Sequence, residues 1–145
     1  MRYSILFSIS MLFLFSCNKN KYTTAPQLTY KSVNTKTLSN GQVLSFTLSF
    51  TDAEGDLQDS LYVEKYEPKC ANSSFKQKYK IPTFPTSKNQ SGEIIVSYGY
   101  NVTGYPPILT PQCNRNDTCV FKFVLKDKAQ NKSDTVTSET IVLIR

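Results

Sequence analysis

The sequence contains no histidine. This absence excludes Ser-His-Asp and Cys-His nucleophilic sites, together with every zinc site that relies on an imidazole ligand. The chain also lacks a glycine loop of the kind that cradles phosphates and a Gly-x-Ser-x-Gly nucleophile elbow. Two carboxylates could in principle hydrolyse a glycoside, but the acidic residues here crowd one short turn of a small domain. We therefore expect a protein that is not an enzyme.

The apolar run at residues 5–15 is too short for a membrane-spanning helix, which needs about 20 apolar residues. It follows a single charge at Arg2 and has the length of an export-signal core. It ends in Leu14-Phe15-Ser16-Cys17, which matches a lipobox, where the cysteine is acylated and becomes the new N-terminus. We predict that residues 1–16 are a cleaved lipoprotein signal and that acyl chains such as palmitate on Cys17 anchor the protein to a membrane. An ordinary secretory signal, with Cys17 merely close to the cut, is the alternative.

No block of like charge runs through the chain, although 17 lysine and arginine residues face 11 acidic ones for a net charge of +6. The lysines are scattered among serine, threonine and tyrosine, so the composition offers no basic stripe that favours nucleic acid. Export from the cytoplasm argues against nucleic acid as well. We expect instead a membrane, contacted through the lipid anchor, and an unknown protein or glycan partner.

Helical periodicity is absent, and alternation with a period of two dominates after residue 26. Hydrophobic residues alternate with polar ones over 44–50 and 119–126, and 135–144 is rich in β-branched residues. Turn residues separate these runs from one another. Shorter strand candidates lie at 27–33, 60–66, 76–81 and 93–98.

About seven short strands in a chain of this size predict an all-β fold, an immunoglobulin-like antiparallel β-sandwich over residues 27–145. Residues 17–26 are polar and contain a proline, and we interpret them as a lipidated tether. The irregular stretch at 67–90 carries three prolines and is expected to cross between the sheets or to form an edge. An antiparallel barrel is the alternative.

Three carboxylates, Asp52, Glu54 and Asp56, lie within five residues at the end of a strong strand candidate. Gly55 permits a tight turn that would fold them towards one point. In an immunoglobulin-like sandwich the loop that begins at Asp127 lies at the same end, so Asp127 is a fourth candidate ligand. Calcium takes six to eight oxygen ligands, and these four residues are candidates for part of a calcium site. The alternative is that the side chains only hydrogen-bond the backbone of their own turns.

Acylation of Cys17 would leave three cysteines, in a compartment that permits disulfides. The stretch between Cys113 and Cys119 is polar and could loop back on itself, so a local Cys113–Cys119 disulfide is the simplest pairing. The rival is a disulfide between Cys70 and one of the other two, because connectivity does not follow from spacing.

The chain carries the motifs F-T-D-A-E-G-D-L, K-I-P-T-F-P, G-E-I-I-V and L-K-D-K-A-Q-N-K-S-D-T-V-T-S-E-T-I-V-L. This combination resembles the small, largely uncharacterised lipoproteins of the Bacteroidota, which have a D-x-x-G-D turn, a proline-bearing middle strand and a closing hairpin. The resemblance implies an immunoglobulin-like fold and an envelope location, and it implies no activity. Gln58 stands where these proteins often have glycine.

The same resemblance has implications for location and modification. Surface-exported lipoproteins of that phylum tend to have acidic residues after the lipidated cysteine, whereas residues 18–21 are neutral or basic here. The resemblance therefore implies a lipid anchor in the outer membrane, facing the periplasm. These bacteria also O-glycosylate Asp-Ser/Thr-aliphatic sites, which implies Ser60 and Thr135 as acceptors.

These features together predict a non-catalytic, lipid-anchored protein of the cell envelope that serves as a binding or structural module. The alternative is an inhibitor or immunity-type protein that plugs a partner enzyme through residues 99–118. Tyr98, Tyr100 and Tyr105 lie in or beside that segment. They would serve either as a binding platform or as packing residues.

Overall fold

The computed structural model describes residues 22–145. The predicted signal peptide, the lipidation site at Cys17 and the first part of the tether lie outside the described residues. Among residues 22–145, no helix is long and apolar enough to cross a membrane. A 3-10 turn spans Ala71–Ser73, and the strands are β1 Gln27–Val33, β2 Thr37–Leu38, β3 Val43–Asp52, β4 Ser60–Tyr66, β5 Phe75–Lys80, β6 Gln90–Gly99, β7 Asp117–Lys126, β8 Val136–Thr137 and β9 Ile141–Leu143.

The strands form two sheets that pack as a sandwich. One sheet has the order β1-β3-β6, and the other has the order β2-β9-β7-β4-β5 with the short β8 paired to β7. Every pair is antiparallel except β2 with β9. The all-β, immunoglobulin-like sandwich is therefore confirmed. The barrel alternative is wrong, because the two sheets stay separate.

Apart from shifts of up to three residues at the strand ends, the strands differ from the predicted ones at two places. The sequence does not predict β2, because two residues are too few to show an alternation; β2 exists through its parallel pairing with β9. The predicted strand at 135–144 divides into β8 and β9 at Ser138. There the serine hydroxyl, and not a backbone carbonyl, accepts the hydrogen bond from the Phe121 N–H at 2.9 Å.

Alternate side chains of β3 and β7 form the centre of the core. The even-numbered residues of β3 from 44 to 52 are buried, as the period-two pattern predicts. The ring of Phe46 lies 4.7 Å from that of Phe121 and 5.2 Å from that of Phe123, so aromatic contacts join the two sheets. This packing fixes which residues emerge at each end of the sandwich.

The two ends of the sandwich differ in chemistry, and we name them after it. The carboxylate end consists of the loops at 53–59, 81–89 and 127–135, of which the second crosses between the sheets as expected of the proline-rich stretch. The disulfide end consists of the loops at 67–74 and 100–116. The chain enters at the carboxylate end, where the Ala53 N–H donates to the Thr23 carbonyl at 3.1 Å.

The predicted Cys113–Cys119 disulfide is wrong. Cys113 is bonded to Cys70, 43 residues away, with the Cα atoms 6.2 Å apart, so the rival pairing is correct. The reason is that β7 begins at Asp117, which places Cys119 inside a strand with its side chain in the core. Burial, more than the nearby charges, raises the pKa of the Cys119 thiol to about 12. A thiol in this state is a packing residue and a poor nucleophile.

Candidate metal centre

The turn that follows β3 is organised by the side chain of Asp52. Its Oδ2 atom accepts hydrogen bonds from the N–H groups of Gly55 at 2.5 Å and Asp56 at 3.1 Å. Gly55 has a φ of +72°, and a Cβ atom there would lie 2.1 Å from the Ser87 carbonyl oxygen. Only glycine fits this turn, which reverses the chain and returns Asp56 towards Asp52.

The loop after β7 is fastened to that turn. Backbone N–H groups of Lys128 and Ala129 donate to the Asp56 carbonyl at 3.0 Å and to its Oδ2 atom at 3.2 Å. Asp127 in turn accepts two bonds from Asn131, one from the backbone at 2.7 Å and one from the side chain at 2.9 Å. The two loops therefore form one unit, as the immunoglobulin-like topology predicts.

One carboxylate oxygen from each of Asp52, Asp56 and Asp127 lies within 4.8 Å of the others. Asp52 and Asp127 are fully buried, and Asp56 is half-buried. The Oδ1 atoms of Asp52 and Asp56 are buried and accept no hydrogen bond from the described residues. Among residues 22–145, none of the ion pairs includes any of the three carboxylates. The cluster is therefore a concentration of negative charge that the described chain does not neutralise.

The electrostatics of Asp52 reflect this arrangement. Burial has the largest effect on the pKa of Asp52 and raises it above the ordinary value of 3.8. The negative charges of Asp56 and Asp127 raise the pKa further, while the hydrogen bonds from the turn N–H groups act in the opposite direction. A hard divalent cation would remove this cost, because it favours the ionised form of all three side chains.

Three of the four predicted ligands come together, and one does not. Asp52, Asp56 and Asp127 converge, whereas Glu54 is exposed and lies outside the cluster. The inclusion of Glu54 is wrong, because the reversal at Gly55 brings Asp56 back to Asp52 and leaves Glu54 on the outside of the turn. The competing interpretation, hydrogen bonds to the turn backbone, is correct for Asp52 Oδ2 and for Asp127 Oδ1, whereas Asp127 Oδ2 accepts from the Asn131 side chain. It does not account for the two free Oδ1 atoms.

The two predicted glycosylation sites have different environments. Ser60 opens β4 with its side chain fully buried, so the folded domain offers no accessible hydroxyl there, and Ser60 is wrong as a surface acceptor. Thr135 is exposed at the carboxylate end and stays a prediction. The sequence could not separate the two, because a short motif carries no information about burial.

The three tyrosines at positions 98, 100 and 105 also differ from one another in burial. Tyr98 and Tyr100 are buried in the core, which confirms packing as their role. Tyr105 is 46% exposed. Among the three, only Tyr105 offers an accessible ring to a partner.

An open apolar cleft of about 730 Å³ was not predicted. It lies between β5 and β6, which are edge strands of different sheets, and Phe50, Phe84 and Val96 contribute to its lining. The sequence offers one signal for it, since Ile94-Ile95-Val96 breaks the alternation and leaves Ile95 69% exposed. The cleft depends on two edges that meet only in the folded sandwich.

Comparison with known proteins gives no family for this chain. No family model matches, and no curated protein matches. Among solved structures, Spo0M, a sporulation control protein from Bacillus subtilis, is similar at 10% identity and a TM-score of 0.47, over 83% of this chain and 50% of that one. A β-glucosidase from Listeria innocua in complex with gluconolactone is similar at 8% identity and a TM-score of 0.38, over 83% and 16%. The chain thus spans half or less of the length of either.

Proposed function

We propose that this chain is a non-catalytic, lipid-anchored module of the cell envelope whose carboxylate end binds a calcium ion. The observation that carries the calcium site is the pair of buried Oδ1 atoms, on Asp52 and Asp56, that accept no hydrogen bond from the described residues. Together with Asp127 they present three carboxylates to one point. Calcium prefers such oxygen donors and tolerates irregular geometry.

The ion has a structural role in this proposal. Asp52 ends β3 in the three-stranded sheet, whereas Asp127 follows β7 in the other sheet and Asp56 lies in the loop between β3 and β4. An ion between the loops would therefore tie the sheets together at this end. It would act by offsetting buried negative charge, and no chemical step is required of it.

The anchor and the ion would lie at the same end of the molecule. The Thr23 carbonyl is bonded to Ala53 at the carboxylate end, and Cys17 is six residues earlier. Six extended residues span at most about 22 Å. A lipid on Cys17 would therefore hold the carboxylate end towards the membrane. The protein or glycan partner and the periplasmic orientation stay predictions.

Thermal unfolding with calcium and with a chelator tests the ion site. We expect millimolar calcium to raise the Tm of the wild-type protein by several degrees, because a ligand at about 100 times its Kd adds about 2.7 kcal/mol. Asp52→Asn keeps the shape of the side chain and removes its charge, and should abolish the shift. Glu54→Gln is the matched control, two residues away but outside the cluster, and should respond like the wild type. Equal Tm values for the wild type with calcium and with chelator would refute the site.

The lipid anchor needs a separate test. When cells are grown with a clickable palmitate analogue, the wild-type protein in the membrane fraction should carry the label. Cys17→Ser should be unlabelled, because it lacks the sulfur that carries the acyl chain. A labelled Cys17→Ser variant, or an unlabelled wild type, would contradict the anchor and would leave the calcium result unaffected.

A further inference from the structure

A second cluster of buried charge lies at the disulfide end and has no part in the proposed function. The Nζ atom of Lys65 is 2.6 Å from Oδ2 of Asp117, and both side chains are completely buried. Lys65 Nζ also donates to the Leu109 carbonyl at 2.7 Å. Every other ion pair among residues 22–145 has at least one partly accessible side chain.

A third charged residue, Glu67, belongs to the same pocket. It is 2% exposed, and its Oε2 atom accepts a hydrogen bond from the N–H of Thr118, the residue after Asp117. Its Oε1 atom accepts a hydrogen bond from the Lys69 N–H at 2.9 Å and lies 3.8 Å from the Arg115 guanidinium, so this carboxylate has partners of its own. The amine of Lys65 and the carboxyl group of Asp117 are thus enclosed together, away from water, with Glu67 beside them.

The Lys65–Asp117 contact has the features of a reacting pair. Transfer of one proton from the ammonium to the carboxylate gives a neutral amine and a neutral acid, which a dry interior penalises far less than two charges. The amine nitrogen is then a nucleophile, and it lies 2.6 Å from Oδ2, the oxygen that is bonded to the carboxyl carbon of Asp117. Enclosed groups held in this way have effective concentrations of about 10⁵–10⁸ M, which favours condensation over the separated groups.

We propose that Lys65 and Asp117 condense into an intramolecular isopeptide bond. The Lys65 Nζ to Asp117 Cγ bond forms and one Cγ–O bond of Asp117 breaks. The ammonium and the carboxylate together yield an amide and one water molecule: two of the three ammonium hydrogens leave with the carboxylate oxygen, and one stays on nitrogen. No oxidant, reductant or other reactant is needed. The protons pass directly from the nitrogen to the leaving oxygen, because Lys65 Nζ and Asp117 Oδ2 are in contact at 2.6 Å.

The surroundings suit the product as well as the reactants. The amide keeps one N–H, which can continue to donate to the Leu109 carbonyl. Two buried charges are replaced by a neutral group, and Asp117 Oδ1, which accepts no hydrogen bond from the described residues, no longer carries a negative charge. The new bond would join β4 to β7 beside the Cys70–Cys113 disulfide.

Intact mass spectrometry of the purified, reduced and denatured protein tests the bond. We expect a mass one water molecule lower than that calculated for the processed and acylated chain, and a branched tryptic peptide that joins the Lys65 and Asp117 segments. Lys65→Arg keeps a cation beside Asp117 but lacks the nucleophilic amine, and should show the full mass. A wild-type protein that is folded by circular dichroism and has the full mass would overturn the proposal and leave a buried salt bridge.

Discussion

The two ends of the sandwich both bury carboxylates, but they compensate the buried charge differently. At the disulfide end the chain supplies its own cation, since Lys65 contacts Asp117 at 2.6 Å. At the carboxylate end three acidic side chains converge, and no ion pair of residues 22–145 includes them. Burying a charge without a partner is costly. The comparison therefore indicates an internal counter-charge at one end and an external one at the other.

The structural setting of the two clusters supports this distinction. Lys65 lies in the ladder between β4 and β7 and Asp117 in the ladder between β7 and β9, so paired strands hold both residues in place. Asp52, Asp56 and Asp127 lie at strand ends and in loops that are joined mostly by bonds to turn N–H groups. A cation from solution can reach the second cluster, because Asp56 is only half-buried. The first cluster is sealed.

The largest effect should come from removal of the lysine at the sealed end. Measured against Lys65→Arg, which keeps a cation beside Asp117 and cannot form the amide, Lys65→Met leaves Asp117 buried without its partner, which typically costs about 3–5 kcal/mol. Asp52→Asn at the other end removes one of three like charges, and in chelator it should leave stability unchanged or increased. Urea unfolding of both variants in chelator measures the contrast. Losses of similar size at the two ends would contradict the comparison.

The second effect concerns the disulfide and the bond proposed between Lys65 and Asp117. The loss of a disulfide that closes a loop of this size costs about 2–4 kcal/mol. An isopeptide bond would close nearly the same loop, so Cys70→Ser alone should cost much less than this. Cys70→Ser combined with Lys65→Arg should show the full loss relative to Lys65→Arg alone. Equal costs in both backgrounds, measured by urea unfolding, would argue against a second covalent link.

Gly55→Ala should have a smaller effect at the carboxylate end. The backbone there has a positive φ, and the added Cβ would meet the Ser87 carbonyl oxygen. Strain of this kind costs of the order of 1–3 kcal/mol. Because the turn positions Asp56, the variant should also lose its calcium-dependent rise in Tm. Gly41→Ala is the control, since Gly41 has a φ of +80° but no atom within 4 Å of an added Cβ; it should be strained and should keep the calcium response.

The smallest effect is the pH dependence of the calcium-free protein. Burial, with the charges of Asp56 and Asp127, raises the pKa of Asp52 above 3.8. The native state then binds more protons than the unfolded state, so stability increases as the pH falls from neutral towards 3.8. Asp52→Asn lacks this gain. The Tm of the wild type in chelator should therefore rise relative to that of Asp52→Asn over this range, and a relative fall would contradict the raised pKa.

The sequence predicts the fold well because the alternation of β3 and β7 is strict and the sandwich buries one face of each strand. It also brings Asp127 to Asp52, since the topology places their loops at one end. The prediction that Glu54 is a ligand fails, because the side on which Glu54 lies depends on the reversal of the chain at Gly55. The predicted disulfide of Cys119 also fails, because the pairing depends on the residue at which β7 begins. The contact between Lys65 and Asp117 is invisible in the sequence, because it joins an apparently ordinary strand lysine to a residue 52 positions later.

Calorimetric titration of the purified protein with calcium is the most direct test of the contrast between the two ends. We expect the wild type and Glu54→Gln to bind one ion per chain. Asp52→Asn and Asp127→Asn should bind at least tenfold more weakly, because each removes a charged ligand. Absence of binding by the wild type, or unchanged binding by both cluster variants, would show that the carboxylate end does not take its counter-charge from calcium.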